Sequence, residues 1–418
     1  MKILLVNQAL YPRGGAEDVM LILGRELQAQ GHEVMYFAKA DRRNLPCPEA
    51  GYFPPRIPSG LSSARRFHLM LRNPDASSRL TALIGENRPD LAVVFQVGRT
   101  LTYDTVKALR LAGVPTAQYL SDFAPICPGR TLHAKDAPCR RCGGWFLPCV
   151  LNSCVRGSFR ASLYAALEAR YLRLSRSLEL PLCYLAPSDY HRMLFEQAGF
   201  TRRPVLSAEL PLPPEAFASA GGRHGRYFLY VGSLVRRKGL QTLLRALTQC
   251  VCSLPLVVAG DGPDREEMTE LMARLGLGER VRLLGQRPIA EIRGLMADCL
   301  CLVAPSECEE IGPVSLLEAQ ALGKPAIVSD RGVLPDRVKD GRTGLIFPAG
   351  DSLALAQRLD DLAALSQAEY ARMSGCAREE AAARYAPSAF AARIIALSER
   401  FADEYPGGEE RHGQTTAE

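Results

Sequence analysis

A single tryptophan, Trp145, stands in a chain of 418 residues, and lysine is scarce in its first half, where residues 1–205 hold four lysines beside 23 arginines. No apolar run approaches the roughly 20 residues that a membrane-spanning helix needs, so insertion by such a helix is not expected. The opening MKILLVNQALYPRGGAE turns polar after six residues, which reads as a first core strand rather than a secretory leader. Without an export signal, thirteen cysteines, an odd count, do not read as a disulfide framework; reduced thiols or a metal site are the alternatives. With 47% hydrophobic and 23% charged residues, the chain is neither disordered nor fibrous. Its length fits two domains, three at most, at about 150 residues each.

The net charge of +6 hides an asymmetry: residues 1–205 hold 27 Lys+Arg against 16 Asp+Glu, and the remainder 24 against 29. A basic half can attract nucleic acid, anionic lipid or phosphorylated substrates. Arginine in place of lysine favours geometric phosphate contacts over a diffuse polybasic tail, although an arginine-rich coding bias accounts for the composition equally well.

Short apolar runs alternate with amphipathic stretches through the first half: Ile3–Val6, Val34–Ala38, Leu91–Phe95, Thr116–Leu120 and Leu182–Ala186. Ala16–Gln30 has helical spacing and is stopped by Gly31. This rhythm predicts an α/β fold with a doubly wound parallel sheet. Residues 207–226, rich in Pro, Gly and Ala, read as a linker. The rhythm then restarts at Tyr227–Val231, Leu256–Ala259, Val281–Leu284, Leu300–Ala304, Ala326–Ser329 and Leu345–Phe347. The expected layout is therefore a first domain over 1–206, with a Cys-rich insert at 127–154, then the linker and a second domain over 227–386. A helix at 387–402 is expected to cross back to the first domain, and 403–418 reads as a disordered tail. Ligands of such sheets bind at the carboxyl ends of the strands, so the active site is expected in a cleft between the domains.

Three motifs carry chemistry. Arg13-Gly14-Gly15-Ala16-Glu17 joins the first strand to its helix; glycines admit close backbone approach, and a helix N-terminus suits a phosphate. A plain strand-to-helix turn explains it as well. Ser233-Leu234-Val235-Arg236-Arg237-Lys238-Gly239 places three cations in a row after a strand, against the sense of the helix dipole. A leaving diphosphate would supply the anion they need, while a solvated charge run is the plainer account. Pro305–Ala319 (PSECEEIGPVSLLEA) carries Glu310 in a loop and Glu318 on the helix that Pro313 should start. The amides of Gly312, Val314 and Ser315 are expected to face phosphate oxygens. Two carboxylates flanking an anion site suit sugar hydroxyls on either side of a diphosphate, whereas Glu307 and Glu309 read as ordinary acidic residues at a helix start.

These motifs, in this order, resemble the retaining glycosyltransferases of family 4, which have the two-Rossmann GT-B fold. The Glu-x7-Glu signature matches Glu310 and Glu318. Gly260-Asp261-Gly262-Pro263, Leu284-Gly285, the run AQALGKP ending at Pro325, and Thr343–Pro348 line up as well. The resemblance implies that Glu310 holds the hydroxyls of the transferred sugar and that Glu318 holds the ribose of a nucleotide-sugar donor. It further implies that Lys238 neutralises the diphosphate, helped by Arg237, and that Gly14 and Gly15 sit against the sugar-phosphate. Asp261, Gly262, Gly312, Pro313, Val314 and Ser315 would complete the donor site. The first domain would take the acceptor and the second the donor. Transfer would retain the anomeric configuration, and no catalytic metal is expected. Two departures stand out: Ser233 occupies a position where relatives carry Arg, and Ser121-Asp122 replaces a His-Asp pair. Glu310, Asp122 and Ser121 are accordingly the candidate catalytic residues.

Cys127, Cys139, Cys142, Cys149 and Cys154 crowd into one segment. A Cys-x2-Cys knuckle followed by Gly143-Gly144 suits tetrahedral zinc on four of the five, with His133 as an alternative ligand; packing thiols or a redox pair remain open. Cys250, Cys252, Cys299 and Cys301 alternate near core strands and read as packing residues. Trp145 reads as packing before it reads as a platform for an acceptor sugar. Two basic and apolar stretches, Pro54–Asn73 and Arg156–Arg176, suit an anionic membrane surface or equally helices with their arginines in water. The expected partners are a nucleotide-sugar donor and a glycan or lipid-linked saccharide acceptor, with peripheral contact at the inner face of the cytoplasmic membrane and no nucleic acid. The reading is a hexosyl-type transferase of cell-surface polysaccharide biosynthesis in the cytoplasm; the alternative is a non-catalytic sugar-nucleotide binder of the same fold.

Overall fold

A computed structural model describes residues 1–135, 137–217 and 224–401. The chain divides into two compact units. Met1–Arg130, Arg140–Pro211 and the C-terminal helix Pro387–Arg400 form the first; Thr131–Cys139 and Leu212–Ala386 form the second.

The first unit carries six parallel strands, β1 (Lys2–Val6), β2 (Glu33–Phe37), β3 (Leu91–Val94), β4 (Thr116–Tyr119), β5 (Cys183–Ala186) and β6 (Val205–Ser207), ordered β2-β1-β3-β4-β5-β6. Ile3 pairs with Val34 on one side and with Leu91 on the other. β3, β4 and β5 are buried along their whole length, as strands covered by helices on both faces must be. That double burial is why β3 and β5 read as unbroken apolar runs, while β4 buries Thr116 and Gln118 as well. The helix Ala16–Ala29 follows β1, and the helix Pro387–Arg400 packs against it. Phe390 of the latter stands edge-on to Tyr119 of β4, ring centroids 5.8 Å apart, so the last helix is part of this unit's core.

The second unit repeats the plan with β7 (Phe228–Val231), β8 (Leu256–Ala259), β9 (Val281–Gly285), β10 (Cys301–Ala304), β11 (Ala326–Ser329) and β12 (Gly344–Phe347), ordered β9-β8-β7-β10-β11-β12. Alternate residues of β7 feed opposite cores. Phe228 and Tyr230 join Leu243, Leu247 and Val258 on one face, while Leu229 joins Val257, Met296 and Val328 on the other. Each such fully buried side chain contributes about 2 kcal/mol. In both sheets the order reverses beside the first strand, at β1/β3 and at β7/β10, and that switch point is where this architecture takes its ligands.

The expected α/β fold of two doubly wound parallel sheets is therefore present. The differences are local. β6 lies just ahead of and into the stretch read as linker, Pro214–Phe217 forms a short 3-10 turn, and 218–223 fall outside the described residues. The expected tail at 403–418 also lies outside them. The Cys-rich segment holds a short helix, Leu147–Leu151, and many sharp bends: among the described residues, six of the nine non-glycine residues with positive φ, namely Arg130, Leu132, Lys135, Phe146, Ser153 and Arg156, fall between 130 and 156.

Candidate functional site

In the second unit, the loops after β7, β8 and β10 converge at the switch point. Gly239 (φ +75) makes this possible: a Cβ there would stand 1.8 Å from the Pro305 carbonyl oxygen. Gly260 and Gly262 likewise lie against the carbonyls of Gly232 and Leu234. Arg236–Lys238 is a single 3-10 turn, and the helix proper, Leu240–Leu247, begins after Gly239. The Arg236 amide donates to Asp264 Oδ2 at 2.6 Å, which holds the cationic turn to the loop after β8. Asp261 accepts from the Gly262 amide at 2.8 Å and pairs with Arg265 at 3.6 Å.

Lys238 and Glu310, expected at the diphosphate and at the sugar of a donor, meet each other here. Lys238 Nζ donates to both carboxylate oxygens of Glu310 at 2.6 Å, and Ser306 Oγ donates to Oε1 at 2.5 Å. The pair is largely shielded, with side chains 27% and 11% exposed. Eight residues on, Glu318 is buried on the helix Val314–Ala321 and accepts from Arg293 at 3.1 Å. Ser233 is exposed, and its carbonyl accepts from the Tyr230 hydroxyl at 3.1 Å. Arg237 offers its carbonyl to the Glu307 amide at 2.8 Å.

One expectation needs correction. The Val314 amide does not face outward: it donates to the Gly312 carbonyl at 2.8 Å. Pro313, at φ −75° and ψ 67°, forms an inverse γ-turn that closes that bond. The Ser315 hydroxyl also turns inward, to the Val231 carbonyl at 3.2 Å.

The first unit contains a cavity of about 840 Å³ that is lined by Arg13, Gly14, Ser121 and Asp122 among others. Gly14 and Gly15 both take positive φ with open space around them, which leaves the turn accessible as expected. Ser121 Oγ accepts from Gln96 at 3.3 Å; Asp122 accepts from the Ala124 amide at 2.8 Å and from Arg130 at 3.1 Å. Lys39, Arg66, Arg99 and Arg156 also face this cavity, together with Glu17 and Glu168. Burial raises the pKa of both carboxyls, against the opposing pull of Arg13 on Glu17 and of Arg130 and Arg99 on Glu168. Phe67, Met70 and Tyr164 add an apolar wall.

Of the five cysteines read as metal ligands, Cys127, Cys142, Cys149 and Cys154 belong to the first unit and Cys139 to the second. Among the described residues no three of them bring their sulfurs within 4.8 Å of one another. Cys139 is instead drawn into a two-residue ladder, its amide donating to the Leu132 carbonyl at 2.7 Å. The other three gather around Cys149: burial, then the thiols of Cys154, Cys142 and Cys127, push its pKa up to about 12. Trp145 is 76% exposed and stacked under the Arg170 guanidinium at 3.9 Å, so it is not a packing residue.

Residues 217–380 match the family of glycosyl transferases group 1. That stretch is similar to a group 1 glycosyltransferase domain. The D-inositol 3-phosphate glycosyltransferase of Corynebacterium diphtheriae is 32% identical over 180 residues, 41% of this chain and 42% of that protein. The lipopolysaccharide core biosynthesis glycosyltransferase LpsD of Rhizobium meliloti is 33% identical over 211 residues, 49% and 56%. The chain spans about half the length of the curated relatives it matches. The crystal structure of Anabaena Alr3699/HepE in complex with UDP, 20% identical, superposes with a TM-score of 0.64 over 96% of this chain and all of that one; at that identity it shows the GT-B fold.

Within this domain, Glu307 was passed over as an ordinary acid at a helix start. Its Oε1 accepts from Thr242 Oγ1 at 2.7 Å and Gln241 Nε2 at 3.1 Å, fastening the helix after the cationic turn to the loop that carries Glu310. Only the partners, 65 and 66 residues away, reveal this role. Glu17 stands in the first motif without a role of its own, and Glu168 has no sequence signal; only the cavity brings the two together. Gly239→Ala should cost the second unit about 3 kcal/mol through the left-handed backbone and the clash with Pro305, read as a lowered midpoint in urea unfolding; an unchanged midpoint would show that the loops can separate without loss.

Proposed function

We propose that the chain is a retaining glycosyltransferase that moves a hexosyl group from a nucleoside-diphosphate sugar to a glycan or lipid-linked saccharide acceptor of the cell surface. The Lys238–Glu310 pair carries this reading. A shielded ion pair costs desolvation that its own attraction barely recovers, so a ligand that supplies each partner with a better one will open it. A diphosphate does so for the ammonium, and sugar hydroxyls do so for the carboxylate. Glu318 on the adjoining helix then takes the ribose, in exchange for part of its bond to Arg293. The acceptor hydroxyl attacks the anomeric carbon on the face that the diphosphate leaves, and the leaving phosphate oxygen takes its proton. Lys238, with Arg237, offsets the charge that develops there. The group 1 family match supports this chemistry, and the UDP in the HepE crystal structure favours a uridine donor.

A panel of nucleoside diphosphates and their sugars should raise the melting temperature of the chain. Glu310→Gln should lower donor turnover about 100-fold while leaving diphosphate binding intact. Diphosphate binding by the unsubstituted chain without any donor turnover would leave the non-catalytic binder as the better account, and turnover unaffected by Glu310→Gln would remove Glu310 from the mechanism.

The acceptor reading rests on the first unit's cavity, where six cations surround three acids beside an apolar wall. A saccharide carried on a lipid phosphate matches both surfaces, as does the name of LpsD. No helix among the described residues is long and apolar enough to cross a membrane, so approach to such an acceptor would be peripheral. The helix Ser63–Leu71 buries none of its residues, its Phe67 ring lies 5.1 Å from Tyr164, and Phe159, Leu163 and Leu167 are exposed among arginines. Vesicles containing anionic lipid should carry the chain upward in flotation at low salt and release it at high salt; equal recovery with neutral vesicles counts against the contact.

No catalytic metal enters this mechanism. A structural zinc in the Cys-rich segment would use Cys127, Cys142, Cys149 and Cys154, whose sulfurs an ion must draw closer together. Metal analysis of the purified chain should find zinc that Cys142→Ser/Cys149→Ser removes; equal zinc in both would dismiss that site.

A further inference from the structure

Cys250 and Cys252 do not share the fate of Cys299 and Cys301. The latter two are fully buried in the core of the second unit, whereas Cys250 and Cys252 sit half-buried in the turn between the helix Leu240–Leu247 and β8. Val251 between them is 93% exposed, which puts the turn in reach of solvent. From across the turn, the helix Ser352–Ala363 projects Asp360. Its two oxygens accept the amides of Val251 and Cys252, at 2.9 and 2.8 Å. These bonds fix the turn so that both sulfurs face the carboxylate. The two Sγ atoms and a carboxylate oxygen of Asp360 all lie within 4.8 Å of one another, and this is the single grouping of that kind among the described residues.

We propose that Cys250, Cys252 and Asp360 form a site for one soft divalent cation, zinc by preference, with water as the fourth ligand. Three arguments support it. Tetrahedral zinc takes sulfur at about 2.3 Å and carboxylate oxygen at about 2.0–2.2 Å, so its ligands stand roughly 3.5–4 Å apart, within a small side-chain movement of what is found. The ligand set is also prepared from outside. Arg280 donates to Cys250 Sγ at 3.1 Å and to the carbonyls of Leu247, Cys252 and Leu254. That guanidinium fixes the sulfur and the turn as outer groups do around metal ligands. Finally, the charges close. Two thiolates and a carboxylate beside one guanidinium leave an excess of negative charge that a single dication cancels. Uptake releases two thiol protons to solvent as the two sulfur–metal bonds form, and no electron transfer is involved.

The site would act as a staple. The helix Leu240–Leu247 carries the Arg236–Lys238 turn at its start and Cys250 just past its end, and it packs on the helix Ser352–Ala363. A cation bridging the two would hold the cationic turn's helix from its far end. The proposal does not depend on what the donor is, or on turnover at all.

The test uses the full chain with Cys142→Ser/Cys149→Ser, to silence the other thiol cluster, and Co²⁺ as the probe. One equivalent should produce sulfur-to-cobalt charge-transfer bands with intense tetrahedral d–d absorption, and zinc should displace it. Adding Cys250→Ser/Cys252→Ser should abolish both bands. Zinc should raise the melting temperature of the first chain by about 5 °C and leave the second unmoved. On the unsubstituted chain, zinc should slow iodoacetamide labelling of Cys250 and Cys252 at least tenfold by peptide mass spectrometry, a readout that survives if the variants fold poorly. Cobalt bands that persist without the two thiols, labelling unaffected by zinc, or a Cys250–Cys252 disulfide formed in air in place of metal uptake would each overturn the site.

Discussion

The ion pair between Lys238 and Glu310 is the constraint on which the second unit's candidate site depends. It joins residues 72 positions apart in sequence, one from the turn after β7 and one from the loop after β10, the two strands between which the sheet reverses. Around it the same two loops are tied three more times: by Glu307 to Thr242 and Gln241, by the Glu307 amide to Arg237, and by Gly239 against Pro305. The backbone is thus held rigidly while the two charged tips remain exchangeable. That combination is what a site for a charged, hydroxylated ligand needs, because preorganised groups cost little to reorganise when the ligand arrives.

Much of this was legible in the sequence, for identifiable reasons. Strands such as Leu256–Ala259 and Ala326–Ser329 are buried on both faces, so they appear as short unbroken apolar runs whatever surrounds them. The Glu310 and Glu318 pair was legible because a fixed spacing on a loop and its following helix is a local property. What escaped was either short or distant. β6 contributes only Val205–Ser207, after two arginines and a proline, too brief for any period to show. The Glu307 clamp is invisible until its partners on another helix are known. The Val314 amide was misjudged because Pro313 was credited with starting the helix, when its ψ instead closes a turn one residue earlier.

The cysteines show the same boundary from the other side. Spacing grouped Cys139 with Cys142, as knuckles usually are, yet the backbone pairs Cys139 with Leu132 and assigns the two to different units. Spacing also grouped Cys250 and Cys252 with Cys299 and Cys301, although two of these point into a core and two into a turn held by Asp360. A spacing of two fixes only that side chains share a face of an extended segment. Whether that face meets leucine or a carboxylate is decided by an element a hundred residues away.

The basic first half acquires a physical meaning once the cavity is described. Cations gathered around a concave surface raise the local concentration of an anionic ligand in a way that the same cations spread over a surface do not. Burial of Glu17 and Glu168 among them has a second effect. Desolvation raises the pKa of both carboxyls against the opposing pull of the nearby arginines, so it works against the ionised form of each acid among those cations. The cavity is therefore suited to a ligand that presents both an anionic group and hydroxyls. In the second unit Glu310 and Glu318 accept hydrogen bonds from Lys238 and Arg293, as Asp122 does from Arg130 in the first unit's cavity, whereas burial raises the pKa of Glu17 and Glu168.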